Sequence, residues 1–544
     1  MKSVPSGLRA MANAALSPMP ARWRDWRPAA LLWAIPLTFL ILMVAAPLLR
    51  LAAEAASREG FATVADIWQD AYLRWRVWWS FVQAAATCFA ALVCGLPVAW
   101  VLARFDFAGR ALVLRLLMLP FVVPTLVAAM GVLAVWGPRG WFALDLQETP
   151  WLLLYGNLFF NLCLVVRAGV DALGQVSASR VAVARTLGAT PWRVFWRVEW
   201  PAVAPWLASA LCLVFLYCFS GFGLALILGG QRYATVEVEI YTLVAHELKL
   251  AQAGALALCM LLLTGLVALA YAAMEQRLST PNRPDAIALR RPAGSAQWTA
   301  LALALAVLGF FCALPLLAIL LRVLGASATA WGVLVDEETL QAVWNTLRFT
   351  SAALLLATLL GTCHALAARR SIWLRTAAFL PFIVSPVTVA LGLLLLYPRY
   401  SASMLLLVCA YALLAYPFVA KSLGSALDGL PAQLQQAART LGATRWRCFW
   451  RVTLPLVAPA LRRGMAFAAA TALGEFAVTL FLSRPEWTTL TTLIYQRLGR
   501  PGEVNRDAAL VLSALLMVLA LLAFLLIEGP SRGAPRRGPT QGMP

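Results

Sequence analysis

The sequence predicts an all-α polytopic membrane protein of about 12 transmembrane helices in two parallel six-helix repeats. Three observations predict it. The 544 residues are 62% hydrophobic and only 12% charged, against roughly 25% charge in an ordinary globular protein. The apolar residues fall in blocks such as PAALLWAIPLTFLILMVAAPLL, and about 20 of them cross a bilayer as a helix, whereas a membrane barrel would alternate in ten-residue segments. One polar phrase, ARTLGATPWRVFWRVEWP from Ala184, returns 254 residues later as ARTLGATRWRCFWRVTLP from Ala438.

The N-terminal stretch is basic and then apolar. Its apolar block runs too long for the core of a cleaved leader, so residues 1–29 are expected as a cytoplasmic segment and 30–49 as a retained first span. Further spans are expected near 78–103, 111–136, 151–171, 206–228 and 251–274. The Pro- and charge-rich stretch 275–297 reads as a cytoplasmic linker. Six more spans follow near 298–321, 342–368, 375–397, 402–422, 460–482 and 507–527, then a tail, 528–544. The halves are thus 30–274 and 298–527, and an even number of spans per half makes the repeat parallel.

The net charge of +20 comes from Arg residues scattered over short loops. That pattern orients a membrane protein and does not make a nucleic-acid surface. The basic stretches RWRDWR, ARFDFAGR, AARRSIWLR and SRGAPRRG fall on one side. The positive-inside rule therefore places both termini and both repeated phrases in the cytoplasm.

The repeated phrases occupy loops 180–201 and 434–455. Gly188 can end one short helix, since Gly is the usual residue just past a helix C-terminus. Thr190 can cap a second and Pro191 suits its first turn. Trp192, Phe195 and Trp196 then share one helix face, and Arg193 and Arg197 another. The second copy repeats this with Gly442, Thr444, Trp446, Arg447, Phe449, Trp450 and Arg451. Clustered Trp and Arg suit a docking interface or a helix lying among lipid headgroups. Duplication favours docking, because two equivalent knobs fit a partner with two equivalent sites.

At these residues the chain resembles the permeases of ATP-binding-cassette importers. Their loop carries Glu-Ala-Ala, a Gly four residues beyond the last Ala, and a Pro thirteen beyond that Gly. Here Ala184, Gly188 and Pro201, and Ala438, Gly442 and Pro455, keep that spacing, but Ala182 and Gln436 stand at the Glu position. The resemblance implies that the two loops dock on a separate ATPase homodimer and that a periplasmic substrate-binding protein delivers the solute. The chain has no G-x-x-x-x-G-K-[ST] loop and only three Lys, Lys2, Lys249 and Lys421, so the ATP would be bound by another polypeptide. Fused double permeases serve thiamine and its phosphates, ferric iron and other small solutes. The stretches WGPRGWFA, FFNLCLVVRAGVDAL, LGGQRYATVEVEIY and RDAALVLSALLMVLALLAF are most like the permeases for thiamine and thiamine pyrophosphate.

Polar groups inside the membrane mark candidate path residues. Glu475 stands out, and its counterpart 254 residues earlier is Gly221. Glu475 is expected either to line a path for a cationic solute or to pair with Arg167 or Arg348. Pro120 and Pro124 in MLPFVVP correspond to Pro381 and Pro386 in FLPFIVSP, as kinks or as path-lining breaks. Segments after spans five and eleven, each with an Ile-Tyr (Ile240-Tyr241, Ile494-Tyr495), are expected as short external helices that receive the binding protein or cap the bundle. The ten Cys lack metal-ligand spacing and His246 and His364 stand apart, so no metal, cofactor or catalytic residue is expected. A secondary transporter would show buried acids or broken helices in both halves, and the sequence offers only Glu475.

Overall fold

A computed structural model describes residues 28–57, 62, 68–142, 144, 146–277, 287–369, 377, 378, 380–401, 403–482 and 484–528. The expected N-terminal segment 1–29, the tail 528–544 and the middle of the linker, 278–286, fall almost wholly outside them. Apart from one isolated bridge, Phe105 with Arg290, the regular structure of the described residues is helical.

Nine described helices are long and apolar enough to cross a membrane, or ten if Arg110–Val122 and Thr125–Trp136, bent by 104°, count as one. The other two of the twelve expected spans are shorter or more polar. Leu380–Ile383 and Pro386–Leu396 form a broken ninth span, and Leu454–Leu473 carries Arg462 and Arg463. The break accounts for the ninth span and the two arginines for the eleventh. The breaks have local causes. Proline removes a donor and crowds the preceding turn, and it stops the third and ninth spans at Pro124 and Pro386. The fifth and eleventh stop at Phe219 and Leu473, and resume as Gly223–Leu228 and Ala477–Leu482.

Four helices contain one wide, five-residue turn: Ile41–Ala45, Phe195–Glu199, Gly309–Ala313 and Phe449–Thr453. Each is followed two residues later by a proline, at Pro47, Pro201, Pro315 and Pro455. The register slips just before the ring, so that Ala46, Trp200, Leu314 and Leu454 donate five residues back, to Ile41, Phe195, Gly309 and Phe449. Extra room in the turn absorbs the proline without ending the helix.

The halves exchange their first spans. Leu40, Met43 and Val44 join a core with Phe349, Leu360 and Tyr416 of the second half. In return Leu301, Ala304 and Leu308 pack with Val98, Leu102 and Leu162 of the first. The same contact secures both. A methyl group at Gly131 would sit 2.7 Å from the Pro315 carbonyl oxygen, and one at Gly392 would sit 2.9 Å from Pro47 Cβ. Gly131→Ala and Gly392→Ala should each lower the thermal unfolding midpoint of the detergent-solubilised protein, at a cost of about 1–3 kcal/mol for overpacking. Gly265→Ala, with nothing within 4 Å of the new methyl group, should leave it unchanged or raise it.

Candidate functional site

Each repeated phrase folds as a helix–turn–helix knob. In the first, Ala178–Thr186 ends in a double bond: Gly188 N–H donates to Arg185 O (2.9 Å) and Ala189 N–H to Ala184 O (3.0 Å). In the second, Gly442 donates to Arg439 O (3.0 Å) and Ala443 to Ala438 O (3.0 Å). This closure needs a residue with positive φ, and Gly188 and Gly442 supply it at +78° and +80°. The side-chain oxygens of Thr190 and Thr444 then accept from Arg193 N (3.4 Å) and Arg447 N (3.3 Å), capping the helices that run through the wide turns at Pro201 and Pro455.

The knobs present the same surface. Trp192 stacks on Phe195 and meets Trp196 edge-on, with ring centroids 6.3 and 5.6 Å apart. Trp446 does the same with Phe449 and Trp450, at 6.4 and 5.4 Å. Trp192 and Trp446 are 70% and 66% exposed, with Leu187 and Leu441 beside them at 81% and 88%. Arg193, Arg197, Arg447 and Arg451 are exposed, as are Ala182 and Gln436 at the position of the missing Glu. Exposed apolar clusters of this kind mark interfaces. The bases of the knobs differ. Glu199 is buried and accepts from Arg104 Nη2 at 2.6 Å, where the second half has Thr453 beside Gln435 (3.4 Å). Arg104 and Glu199 lie 95 residues apart, and no local signal in the sequence joins them.

The four helix breaks surround one cavity of about 290 Å³ between the halves. Of the residues singled out from sequence, Glu475, Gly221, Pro124, Pro381 and Pro386 line it. Pro120 does not: it is buried in the short helix Leu119–Val122. Glu475 is 8% exposed. Its Oε1 accepts from Val478 N at 2.9 Å and caps the helix that resumes there. The expected arginine partners are elsewhere: Arg167 binds Asp171 (3.0 Å) and Arg348 lies over the ring of Phe349.

Beside Glu475, four rings cross from one half to the other. Tyr241 meets Phe222 at 5.5 Å, Phe222 stacks on Phe476 at 5.8 Å with 24° between planes, and Phe476 meets Tyr495 at 5.3 Å. Phe222 and Phe476, like Tyr241 and Tyr495, are 254 residues apart, so the ladder lies across the repeat's two-fold relation. The helices that carry the tyrosines, Val236–Ala245 and Leu490–Gly499, were expected either to receive the binding protein or to cap the bundle. They are packed inside the bundle, with Val236, Ile240, Leu490, Leu493 and Ile494 fully buried, which fits the second role better than the first. Ser80 Oγ and Thr346 Oγ1 accept from the N–H groups of Val236 and Leu490, both at 2.9 Å, and hold them there.

A correction concerns buried acids. Glu199, Glu237 and Glu239 of the first half are buried as well as Glu475. Glu239 lies 3.4 Å from Arg76 and accepts from Tyr72. Glu237 accepts from Ser385 Oγ of the second half at 2.8 Å. Sequence reasoning also missed Gln83 and Asn157, which line the cavity with Asn161. A lone amide in an apolar span carries no sign of which way it faces.

Comparison with known proteins agrees with this architecture. The family described as the binding-protein-dependent transport system inner membrane component matches twice, at residues 95–280 and 353–528. The chain is 30% identical over 493 residues to the thiamine transport system permease protein ThiP of Escherichia coli K12, covering 85% of this chain and 90% of that one. It is 29% identical over 521 residues to ThiP of Brucella abortus 2308, covering 90% and 94%. The molybdenum transport system permease protein ModB of Escherichia coli K12 matches over a shorter stretch, 37% identical over 128 residues, 23% of this chain and 55% of the relative. The chain therefore belongs to the family of binding-protein-dependent transport system inner membrane components, as a fused permease with two copies of the family's domain.

Proposed function

We propose that this multi-pass inner-membrane permease forms the translocation path for thiamine and its phosphates, driven by a separate ATPase homodimer and fed by a periplasmic substrate-binding protein. The paired knobs are the observation that carries the coupling. Two copies of one aromatic and basic surface suit the two equivalent sites of a homodimer, and both phrases and both termini then face the cytoplasm. Likeness over nearly the whole chain to thiamine permeases supports the substrate. Glu475 and the rings around it suit a solute with a positively charged ring.

In coupling, ATP-driven closure of the ATPase pair would move the knobs, and the helices Pro191–Phe219 and Arg445–Leu473 are continuous from knob to cavity. Their far ends are the breaks beside Gly221 and Glu475. A shift at the knob therefore reaches the cavity wall through one rigid element in each half.

The importer is tested by co-purification and by uptake in proteoliposomes holding this chain, its ATPase and its binding protein. Thiamine uptake should require ATP; uptake without ATP, or a chain that recovers no ATPase, overturns the reading. Gly188→Val with Gly442→Val should leave the unfolding midpoint of the spans within a few degrees while uptake per ATP hydrolysed falls steeply. A Cβ at either position meets no neighbour within 4 Å, so the cost comes from the left-handed backbone, about 1–2 kcal/mol at each knob. Glu475→Gln should cut thiamine uptake about tenfold, the loss of roughly one charged contact, with ATP hydrolysis by the complex retained.

A further inference from the structure

Arg104 stands where three parts of the chain meet. It is the last residue of the second span, Ala71–Arg104. Its guanidinium holds Glu199, the last residue of the wide turn Phe195–Glu199 below the first knob, at 2.6 Å, and both side chains are only 8% exposed. The Arg104 carbonyl oxygen accepts from the N–H of Arg290 (3.1 Å), in the linker between the halves, and Asp106 N–H donates to Arg290 O (2.9 Å). These two bonds make the Phe105–Arg290 bridge, and the Arg290 guanidinium lies over the Phe105 ring at 5.4 Å. Soon after, at Gly294, the linker enters Ser295–Leu308, the start of the seventh span. The first knob, the second span and the entry to the second half are thus tied at one residue.

The second knob has a different base. Thr453 stands 254 residues after Glu199. Its hydroxyl accepts from Gln435 Nε2 at 3.4 Å, and Gln435 belongs to the knob's own first helix, Ala432–Thr440. That bond closes the knob on itself and reaches no other span. The spans behind the knobs differ in the same sense. Gln83 of the second span lines the cavity, whereas among the described residues nothing of its counterpart, Glu337–Ala368, does. A buried ion pair adds little to net stability, but neither group can leave it without stranding a charge. Arg104 and Glu199 therefore move together.

We propose that Arg104 is a positioning residue for coupling, which pins the first knob to the second span and to the linker and makes that knob the stronger of two levers. A displacement of the first knob travels along Pro191–Phe219. Through the ion pair it also travels along Ala71–Arg104 toward Gln83, and through the linker to the seventh span. A displacement of the second knob has only Arg445–Leu473 as its bonded route. The two equivalent sites of an ATPase homodimer thus act on unequal handles. This rests on the reading of the chain as an ATP-driven permease and names the residue that divides the stroke between its knobs.

The test uses the full chain with its ATPase and binding protein in proteoliposomes. It reads thiamine uptake per ATP hydrolysed, with the unfolding midpoint of each variant as a check. Trp192→Ala should lower that ratio more than Trp446→Ala does, although the two side chains are similarly exposed. Arg104→Gln and Glu199→Gln should each lower it about tenfold, the size of a typical coupling between sites. The thiamine concentration giving half-maximal uptake should stay as in wild type, and Thr453→Val should change the ratio little. Arg104→Met with Glu199→Leu replaces the pair by apolar side chains, a change that is often neutral or stabilising. This double variant should keep its midpoint, lose the same coupling, and show equal losses when either tryptophan is changed. Equal losses from the two tryptophan changes in the wild-type background, or wild-type coupling in the folded double variant, overturn the inference. Should the double variant unfold, the tryptophan comparison decides alone. Either overturning result spares the importer when wild-type uptake needs ATP. A wild-type complex that takes up no thiamine with ATP sinks the importer and this inference with it.

Discussion

In hydrocarbon every backbone N–H and C=O must find a partner within the protein, and the rest of this structure follows from that constraint. Helices satisfy it by themselves. A break does not, and is tolerated at membrane depth only where other protein or a cavity surrounds it. All four breaks, at Pro124, Ser220–Phe222, Pro386 and Gly474–Phe476, gather around one cavity between the halves. The polar atoms freed there are met by caps such as Ser385 Oγ on Thr388 N (3.0 Å) and Glu475 Oε1 on Val478 N (2.9 Å). The non-helical backbone that opens a path is thus also what must be most carefully satisfied.

Prolines use the same constraint in a second way. At Pro124 and Pro386 the ring stops a helix. At Pro47, Pro201, Pro315 and Pro455 the turn before it widens and the helix continues. Two of those four, Pro47 and Pro315, are also where the exchanged first spans touch Gly392 and Gly131. The other two sit where each knob joins its span, so the knob helices run on toward the cavity without a joint.

The two-fold relation between the halves is kept in the knobs and the exchanged spans and lost in the lining of the cavity. The knobs, the wide turns, the exchanged spans and the ladder Tyr241–Phe222–Phe476–Tyr495 come in matched pairs. The cavity walls do not: amides stand on one side and Glu475 on the other. An asymmetric solute has no use for a symmetric site, and fusing two domains in one chain lets each wall change independently. The Arg104–Glu199 pair is a further departure, and anchors only the first knob.

The sequence by itself determined the helical membrane class, the parallel repeat, the family and the detail of the knobs, because each depends on neighbours in the chain. Gly188, Thr190 and Trp192 act within one or two turns, and duplication at Ala438–Pro455 doubled the signal. Sequence also picked out Glu475 and the prolines as unusual, but treated Pro120 as equal to Pro124 because both sit in one short motif. Only the tertiary structure decided which side chains share the cavity. Gln83, Asn157 and Glu475 come from distant spans, and a helix in lipid presents no polar face that would show which way a lone amide turns. The same holds for the buried helices Val236–Ala245 and Leu490–Gly499. Their composition suited either surface or interior, and long-range bonds from Ser80 and Thr346 settled it.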